Sequence, residues 1–136
     1  MEALVRTAKS GVEVRILCPK IPDKWYVHPV TQYHYTDLLS AGIRIYEYTP
    51  GFAHSKLFAV DDKFATVGTV NMDYRSFNLH FECGVWMAAN STVGEIKKHY
   101  DELLAVSKEI KLNEWKRSSI RSRLKRALLH IFSPFM

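Results

Sequence analysis

The chain has 136 residues, of which 47% are hydrophobic and 24% are charged, and its net charge is +5 at pH 7. This length fits one domain with a single core, and the composition argues against an intrinsically disordered chain. Residues 110–136 carry seven Lys and Arg residues against one acid, Glu114, so all the excess positive charge lies in this tail.

Helix and strand patterns alternate through the first half of the chain. The predicted elements are a helix over 2–9, a strand over 12–17, a loop over 20–30, a helix over about 31–41 and a strand over 43–48. Both strands alternate apolar and polar residues, and Pro19 and Gly42 stand where the first strand and the second helix end.

The second half of the chain begins with strands on both sides of an Asp61-Asp62 turn. The predicted elements are strands over 55–60, 64–67 and 81–88, a helix over about 92–108, and one or two basic helices from about 113. Because strands alternate with helices, we expect an α/β fold with a mixed β-sheet flanked by helices. We divide the chain into a domain over 1–110 and a basic amphipathic helical tail over 111–136.

The two cysteines, Cys18 and Cys83, both lie in apolar runs. Such runs favour two buried strand thiols over a disulfide or a metal pair. Buried free thiols suit a reducing compartment.

The segment His54-Ser55-Lys56 begins the strand that leads into the Asp61-Asp62 turn. Side chains two residues apart on a strand project from the same face, so His54 is expected beside Lys56. This pair suits a phosphate group, because the lysine neutralises oxygen charge while the histidine attacks phosphorus or transfers a proton.

Two further groups in the sequence fit the same chemistry. Thr69 and Asn71 follow the next strand after a turn at Gly68, where their hydroxyl and amide can donate to the same oxygens. A histidine in this role needs its second ring nitrogen held, usually by a carboxylate. Glu82 is the candidate, because it is the one charged residue in an apolar run and a buried carboxylate needs a partner.

Six residues match the pattern His-x-Lys-x4-Asp-x6-Gly-(Ser/Thr)-x-Asn: His54, Lys56, Asp61, Gly68, Thr69 and Asn71. This pattern resembles the signature of the phospholipase D superfamily, with Thr69 in place of the usual serine. In that superfamily the carboxylate partner of the histidine lies on a later strand, where Glu82 falls.

The superfamily resemblance implies a role for each matched residue. It implies a catalytic group of His54, Lys56, Asp61 and Glu82. It also implies a phosphate-binding group of Lys56, Thr69 and Asn71. Within the first group, Asp61 is expected to give structural support more than chemistry, and a simple turn-forming role for it remains open.

Longer segments are similar to the C-terminal half of bacterial cardiolipin synthases. The segments that carry this similarity are 11–16, 41–46, 51–56, 67–77, 79–82 and Ser133-Pro134-Phe135, so it covers nearly the whole chain. One departure is Cys83, which stands where the family more often has a smaller or amide residue.

This similarity implies a two-step phosphatidyl transfer that needs no metal and no other cofactor. One histidine forms a phosphohistidine, and a second protonates the departing glycerol and then deprotonates the incoming hydroxyl. Each histidine comes from its own copy of the motif, and this chain has one copy. His54 corresponds to the second copy, whose usual role is general acid and base, although the nucleophile role stays open.

The implied function is therefore half of a cardiolipin synthase site, which joins two phosphatidylglycerol molecules and releases glycerol. A first motif and membrane-spanning helices are expected upstream of Met1, and the expected location is the cytoplasmic face of the cell membrane. Two alternatives stay open. A homodimer with one motif per chain would be a phosphodiesterase or nuclease, and an inactive module would bind a membrane or a subunit.

The basic tail predicts a helix with one apolar face, formed by Ile120, Leu124, Ala127, Leu128 and Ile131. Arg121, Lys125 and Arg126 are expected to flank this face, with Arg123 further round. Such a helix either lies on an anionic bilayer or packs its apolar face against the domain or the missing half. Nucleic acid is a weaker candidate partner, because aromatic residues for base stacking are absent from 116–130.

Several remaining residues have two open interpretations. Trp25-Tyr26 and Tyr33-His34-Tyr35 either line a lipid headgroup pocket or pack in the core and loops. Arg75 either contacts substrate phosphate or pairs with an acid. Five other histidines share no metal-ligand spacing and are interpreted as surface or packing residues: His28, His34, His80, His99 and His130.

Overall fold

The computed structural model describes residues 1–133, which divide into two units. Unit 1 comprises residues 1–53 and 106–133, and unit 2 comprises residues 54–105. The sequence similarity over Ser133-Pro134-Phe135 and the end of the predicted tail lie partly outside the described residues. In chain order the elements are α1 (Glu2–Lys9), β1 (Arg15–Pro19), α2 (Val27–Tyr33), α3 (Tyr35–Ser40), β2 (Arg44–Tyr48), β3 (Lys56–Val60), β4 (Phe64–Gly68), α4 (Tyr74–Asn78), β5 (Gly84–Ala88), α5 (Ser91–Ala105), β6 (Ser107–Ile110), α6 (Leu112–Lys116) and α7 (Ile120–His130).

Unit 1 is built on a mixed three-stranded sheet in the order β1-β2-β6. The β1 and β2 strands are parallel, whereas β6 runs antiparallel to β2. The buried core of this unit lies against the sheet and consists of Cys18, Tyr35, Leu38, Ile43 and Ile45. The apolar face of α1 packs against it through Leu4, Val5 and Ala8, as its sequence periodicity predicts.

The tail helices α6 and α7 pack against the rest of unit 1. The Arg126 guanidinium lies 4.1 Å from the ring centre of Trp115, and Trp115 packs against the buried Tyr35 with ring centres 5.0 Å apart. On the same helix, His130 stacks on Tyr33 of α2 with ring centres 4.0 Å apart. These contacts hold one face of α7 against unit 1.

Unit 2 is an antiparallel sheet in the order β3-β4-β5, and α5 packs against all three strands. Ala65 on β4 and Val93 on α5 are its buried apolar residues among those described. Asp61 and Asp62 form the β3–β4 turn with φ angles of 50° and 55°, values that Asp tolerates better than most residues. The turn is closed by the Lys63 amide, which donates to the Val60 carbonyl at 3.0 Å.

The fold class predicted from sequence is confirmed, with differences in the elements. Residues 1–133 form two small sheets flanked by helices in place of one mixed sheet. The helix predicted over 31–41 begins earlier, at Val27, and breaks into α2 and α3 at His34. The helix predicted over 92–108 ends at Ala105, because residues 107–110 instead pair with β2 as β6. Pairing with a distant strand outweighs the local helical pattern here.

The two cysteines differ in environment. Cys18 on β1 is buried and free, and its burial raises the pKa of the thiol to about 11. Cys83 is also free but exposed, so the prediction that both thiols are buried was wrong for Cys83. The reason is that β5 begins at Gly84, so Cys83 lies in the segment before the strand.

Glu47 on β2 is a charged side chain that is only 1% exposed. Its carboxylate accepts hydrogen bonds from Lys20 Nζ at 2.7 Å, from His28 Nε2 at 3.0 Å and from Gln32 Nε2 at 3.1 Å. Burial alone would raise the pKa of Glu47, but the hydrogen bonds from His28, Lys20 and Gln32 outweigh it and hold the pKa at about 2. The buried charge is therefore fully paired.

Glu47 should make the stability of the chain depend on pH in the acid range. Since its folded-state pKa of about 2 lies below the ordinary value of 4.5, its ionised form stabilises the fold above pH 4.5. That stabilisation is lost as the pH falls from 4.5 towards 2. We expect Glu47→Gln to lower the free energy of unfolding by about 2–3 kcal/mol at pH 7 and to flatten this acid dependence, both measured by urea denaturation.

The matched control is Glu13→Gln, because Glu13 is exposed and pairs on the surface with Arg15 and Arg44. It should leave the unfolding transition almost unchanged. Equal destabilisation by the two variants, or an unchanged acid dependence in Glu47→Gln, would contradict the role given to Glu47.

Candidate active site

The register of the unit 2 sheet brings three strand ends to one edge. Lys56 at the start of β3 pairs with Gly68 at the end of β4, and Gly68 pairs with Gly84 at the start of β5. Residues just before β3, just after β4 and just before β5 must therefore lie near one another. These positions hold the predicted site residues His54, Thr69, Asn71 and Glu82, and Lys56 lies beside them at the start of β3.

The predicted contact between His54 and Lys56 is present. Lys56 Nζ lies 2.8 Å from His54 Nε2 and also donates to the His54 carbonyl oxygen at 2.9 Å. A lysine ammonium can only donate, so His54 Nε2 accepts and the ring proton of the neutral imidazole is on Nδ1. This places a basic ring nitrogen directly beside a positive charge.

Glu82 is held at the same edge by Thr69. The Thr69 hydroxyl donates to Glu82 Oε2, and the Cys83 amide donates to that hydroxyl oxygen at 3.0 Å. The pKa of Glu82 lies below its ordinary value, chiefly because of hydrogen bonds from the Thr69 and Ser76 hydroxyls and further because of the positive charge of Lys56. Glu82 therefore carries a negative charge at neutral pH.

Glu82 differs from the sequence expectation in its burial. It was expected within a strand over 81–88, but β5 begins at Gly84 and the Glu82 side chain is 15% exposed. The contact with His54 that was predicted from the sequence stays a prediction. Within the described residues, its carboxylate has Thr69, Ser76 and His80 as partners.

Asn71 is positioned by the start of α4. Its backbone amide donates to the Ser76 hydroxyl at 3.1 Å, and Ser76 is 7% exposed. The Ser76 amide in turn donates to the Asp73 carboxylate at 2.7 Å, which caps the helix. The cap thus fixes the loop that carries Asn71, while the Asn71 residue itself is exposed.

His80 is a site residue that sequence reasoning missed. Its Nδ1 lies 3.9 Å from Glu82 Oε1, and Arg75 Nε donates to its Nε2 at 2.8 Å. The sequence left open whether Arg75 contacts substrate phosphate or pairs with an acid. In the structure its partner is instead a histidine. The available signal was the spacing of two residues between His80 and Glu82, which places both on one side of an extended segment.

Asp61 is the predicted catalytic residue that the structure does not bring to this edge. It lies in the β3–β4 turn, at the other end of β3 from Lys56. Asp61 lies five positions along an extended chain from Lys56, which is roughly 16 Å. In this position Asp61 forms the turn that sets the register of β3 and β4.

Gly68 is required at the site edge by the close approach of two strands. A Cβ atom added at Gly68 would overlap the Cys83 carbonyl oxygen and lie 2.7 Å from Gly84 Cα. The same close approach lets the Thr69 amide donate to the Cys83 carbonyl at 2.9 Å. The segment that carries Glu82 is thereby held beside the segment that carries Thr69.

Comparison with known proteins matches the part of the chain that contains the site edge. The family model described as the phospholipase D-like (PLD-like) domain of cardiolipin synthase matches residues 1–104, which include every residue of the site edge. The chain belongs to this family. Its membership confirms the resemblance inferred from the motif.

Relatives of this family align with nearly the whole chain. Cardiolipin synthase 1 of Bacillus anthracis is 40% identical over 130 residues, which are 96% of this chain and 26% of the relative. A cardiolipin synthase of Alkalihalophilus pseudofirmus is 38% identical over 136 residues, which are 100% of this chain and 27% of the relative. An uncharacterised protein of Streptococcus mutans is 37% identical over 134 residues, 98% of this chain and 29% of the relative. The chain thus spans about a quarter of the length of these relatives.

Two properties of the described residues complete the account of this cardiolipin synthase-family chain. Residues 1–133 contain no helix that is both long and apolar enough to cross a membrane. Over the same range, no group of three or more His, Cys, Asp or Glu side chains is placed to hold a metal ion.

Alanine substitutions at Gly68 and Gly94 should change the stability of the chain in opposite directions, because an added Cβ meets close neighbours at Gly68 and none at Gly94. Gly68→Ala should lower the free energy of unfolding by roughly 1–3 kcal/mol, because the added methyl group forces β4 and β5 apart. Gly94→Ala is the matched control, since an added Cβ there meets nothing within 4 Å. Because Gly94 lies within α5, its substitution should raise stability by roughly 0.5–1 kcal/mol.

Thermal or urea unfolding of the two variants measures this difference. Comparable stability of Gly68→Ala and the unsubstituted chain would show that β4 and β5 do not approach as closely as described at the site edge.

Proposed function

We propose that the chain carries one half of the phosphatidyltransferase site of a cardiolipin synthase. The observation that carries the proposal is the contact of Lys56 Nζ with His54 Nε2, 2.8 Å apart, at an edge that also holds Thr69, Asn71 and Glu82. The substrate is phosphatidylglycerol, and the products are cardiolipin and glycerol.

Lys56 and His54 form the reacting pair in this proposal. The Lys56 ammonium neutralises a phosphate oxygen, which frees His54 Nε2 to approach phosphorus or a departing oxygen. The orientation supports this role, because the basic nitrogen of His54 already points at the positive charge that would hold the phosphate.

Glu82 and its partners support the histidine. With Nε2 facing Lys56, the His54 proton is on Nδ1, and an ionised carboxylate is the acceptor that would orient this ring. The lowered pKa of Glu82 keeps it in the required charged form. Thr69 donates its one hydroxyl proton to Glu82. Thr69 can therefore donate to a phosphate oxygen only when its hydrogen bond to Glu82 breaks. Asn71 completes the phosphate-binding group.

The reaction proceeds in two balanced steps. In the first, one histidine nitrogen bonds to phosphorus, the bond to the glycerol headgroup oxygen breaks, and a second histidine gives that oxygen a proton. In the second, the second histidine takes a proton from a hydroxyl of another phosphatidylglycerol. The resulting oxygen bonds to phosphorus and the phosphorus–nitrogen bond breaks. His54 supplies one of these two histidines.

The second histidine comes from another copy of the motif, either in a longer chain or in a second molecule of this chain. Three apolar side chains near the site edge support such a partner. Phe77 and Leu79 are more than half exposed, and Phe81, next to Glu82, is fully exposed. Apolar side chains clustered beside a catalytic group are typical of surfaces that another protein segment covers. Because the substrate is a phospholipid, the complete site works at a membrane surface, and we place it on the cytoplasmic face.

A chimeric enzyme tests the proposal. The 130 matched residues of the Bacillus anthracis cardiolipin synthase 1 would be replaced by this chain, which is 40% identical to them. We expect the chimera to convert phosphatidylglycerol vesicles to cardiolipin and free glycerol. His54→Ala should lower this rate by at least roughly 10²-fold, because a proton-transfer or nucleophilic group is lost.

The matched control is His99→Ala, which removes an exposed histidine from α5. It should leave the rate unchanged. A folded chimera without activity, or equal rates for the His54→Ala and His99→Ala chimeras, would contradict the proposal. Cardiolipin formed by the 136-residue chain alone would instead favour the homodimer with one motif in each copy.

A further inference from the structure

The face of α7 that packs on unit 1 is known from its contacts. Arg126 is 6% exposed and lies over Trp115, and His130 stacks on Tyr33. Arg126 also donates to the Ser122 carbonyl oxygen, so Ser122, Arg126 and His130 mark one side of the helix. The sequence left open whether the apolar face of the tail packs on the domain, and these contacts show that a different face does so.

The apolar face of α7 points away from this packing. With about 100° between successive residues, Ile120, Leu124 and Leu128 form one stripe, which Ile131 extends past the end of the helix. Their exposed fractions are 81%, 59%, 53% and 66%. Unit 1 therefore leaves an aliphatic stripe uncovered while the helix itself is held in place.

Basic side chains border this stripe on both sides. Arg121 and Lys125 follow one border, and Arg123 lies near the other. All three residues are exposed. Residues 110–136 carry the net positive charge of the chain, with seven basic residues and one acidic residue.

Trp25 adds an aromatic group beside the same face. It lies in the segment before α2, is 69% exposed, and has Lys125 Nζ 5.7 Å from its ring centre. A groove of about 420 Å³ separates it from α7 and is lined by Trp25, Arg121, Leu124, Lys125, Leu128 and Leu129. Tryptophan beside basic and aliphatic side chains is typical of protein surfaces at the boundary between lipid and water.

We propose that the stripe Ile120, Leu124, Leu128 and Ile131, together with Trp25, Arg121 and Lys125, binds the surface of an anionic lipid bilayer. The aliphatic side chains enter the boundary between headgroups and acyl chains, while the basic side chains contact lipid phosphates. The positive charge on the borders selects an anionic bilayer over another apolar protein surface. The inference rests on the proposed function, since it supplies the membrane contact that a phospholipid-transferring site needs.

Vesicle co-sedimentation of the 136-residue chain tests this surface without requiring turnover. The probes are vesicles of phosphatidylglycerol mixed with phosphatidylcholine, and vesicles of phosphatidylcholine alone. We expect stronger binding to the anionic vesicles, and the same binding by His54→Ala, because His54 is not part of the surface. A defect in catalysis would then leave the binding result unchanged.

Two pairs of variants separate the apolar and the charged contributions. Ile120→Glu/Leu124→Glu should weaken binding by at least roughly tenfold. The control Val12→Glu/Ile21→Glu adds the same charge at exposed aliphatic residues elsewhere in unit 1. It should bind the anionic vesicles much more tightly than Ile120→Glu/Leu124→Glu does. Arg121→Gln/Lys125→Gln should cost roughly fivefold for each charge removed. Arg6→Gln/Lys9→Gln on α1 removes the same charge and should have a much smaller effect.

Fluorescence gives a direct readout at Trp25. Anionic vesicles should shift the tryptophan emission to shorter wavelength in the unsubstituted chain, and this shift should be lost in Trp25→Phe. Circular dichroism of each variant confirms that it remains folded. Absence of binding by the unsubstituted chain, or equal binding by the α7 variants and their controls, would overturn the proposal and assign the stripe to a protein partner.

Discussion

The alignment of Lys56, Gly68 and Gly84 across three antiparallel strands is the constraint on which the candidate site depends. Of the five predicted residues at this edge, Lys56 lies in a strand, and the other four lie in the short segments that flank the strands. Their convergence therefore comes from strand register, which the Asp61-Asp62 turn sets at one end of the sheet. At the other end, the absence of a side chain at Gly68 lets β4 and β5 meet closely enough for the Thr69 and Cys83 backbones to pair.

Each unit contains a glutamate whose pKa is lowered by hydrogen-bond donors, but the two carboxylates differ in burial. In unit 1, Glu47 is almost completely buried and its donors hold it ionised inside the fold, where it contributes to stability. In unit 2, Glu82 is also kept ionised by donors, yet it stays partly exposed beside a histidine–lysine pair. A charged carboxylate at an open edge stabilises the fold little, and in the proposed function Glu82 instead orients His54. The proposed catalytic residues thus lie in unit 2, which has fewer buried residues than unit 1 among those described.

The local patterns of the sequence predicted β3, β4 and the Asp61-Asp62 turn nearly to the residue. Five of the residues predicted for the site lie at one edge of the β3-β4-β5 sheet, whereas Asp61 lies at the other end. The features that the sequence did not predict depend on contacts between segments that are distant along the chain or on loop conformation. Residues 107–110 continue a helical pattern, but their pairing with β2 makes them a strand. The contacts of His80 with Arg75 and Glu82 depend on a loop conformation that no periodicity encodes. The exposure of Cys83 similarly follows from where β5 begins.

A nuclear magnetic resonance titration of the chain with glycerophosphoglycerol, the water-soluble form of the phosphatidylglycerol headgroup, tests the central claim most directly. If the edge of the β3-β4-β5 sheet binds a phosphodiester, the resonances of His54, Lys56, Thr69 and Asn71 should shift together with added ligand, while those of Asp61 in the distant turn should not. Shifts centred on that turn or on α7, or no shifts at the sheet edge at high ligand concentration, would contradict the account.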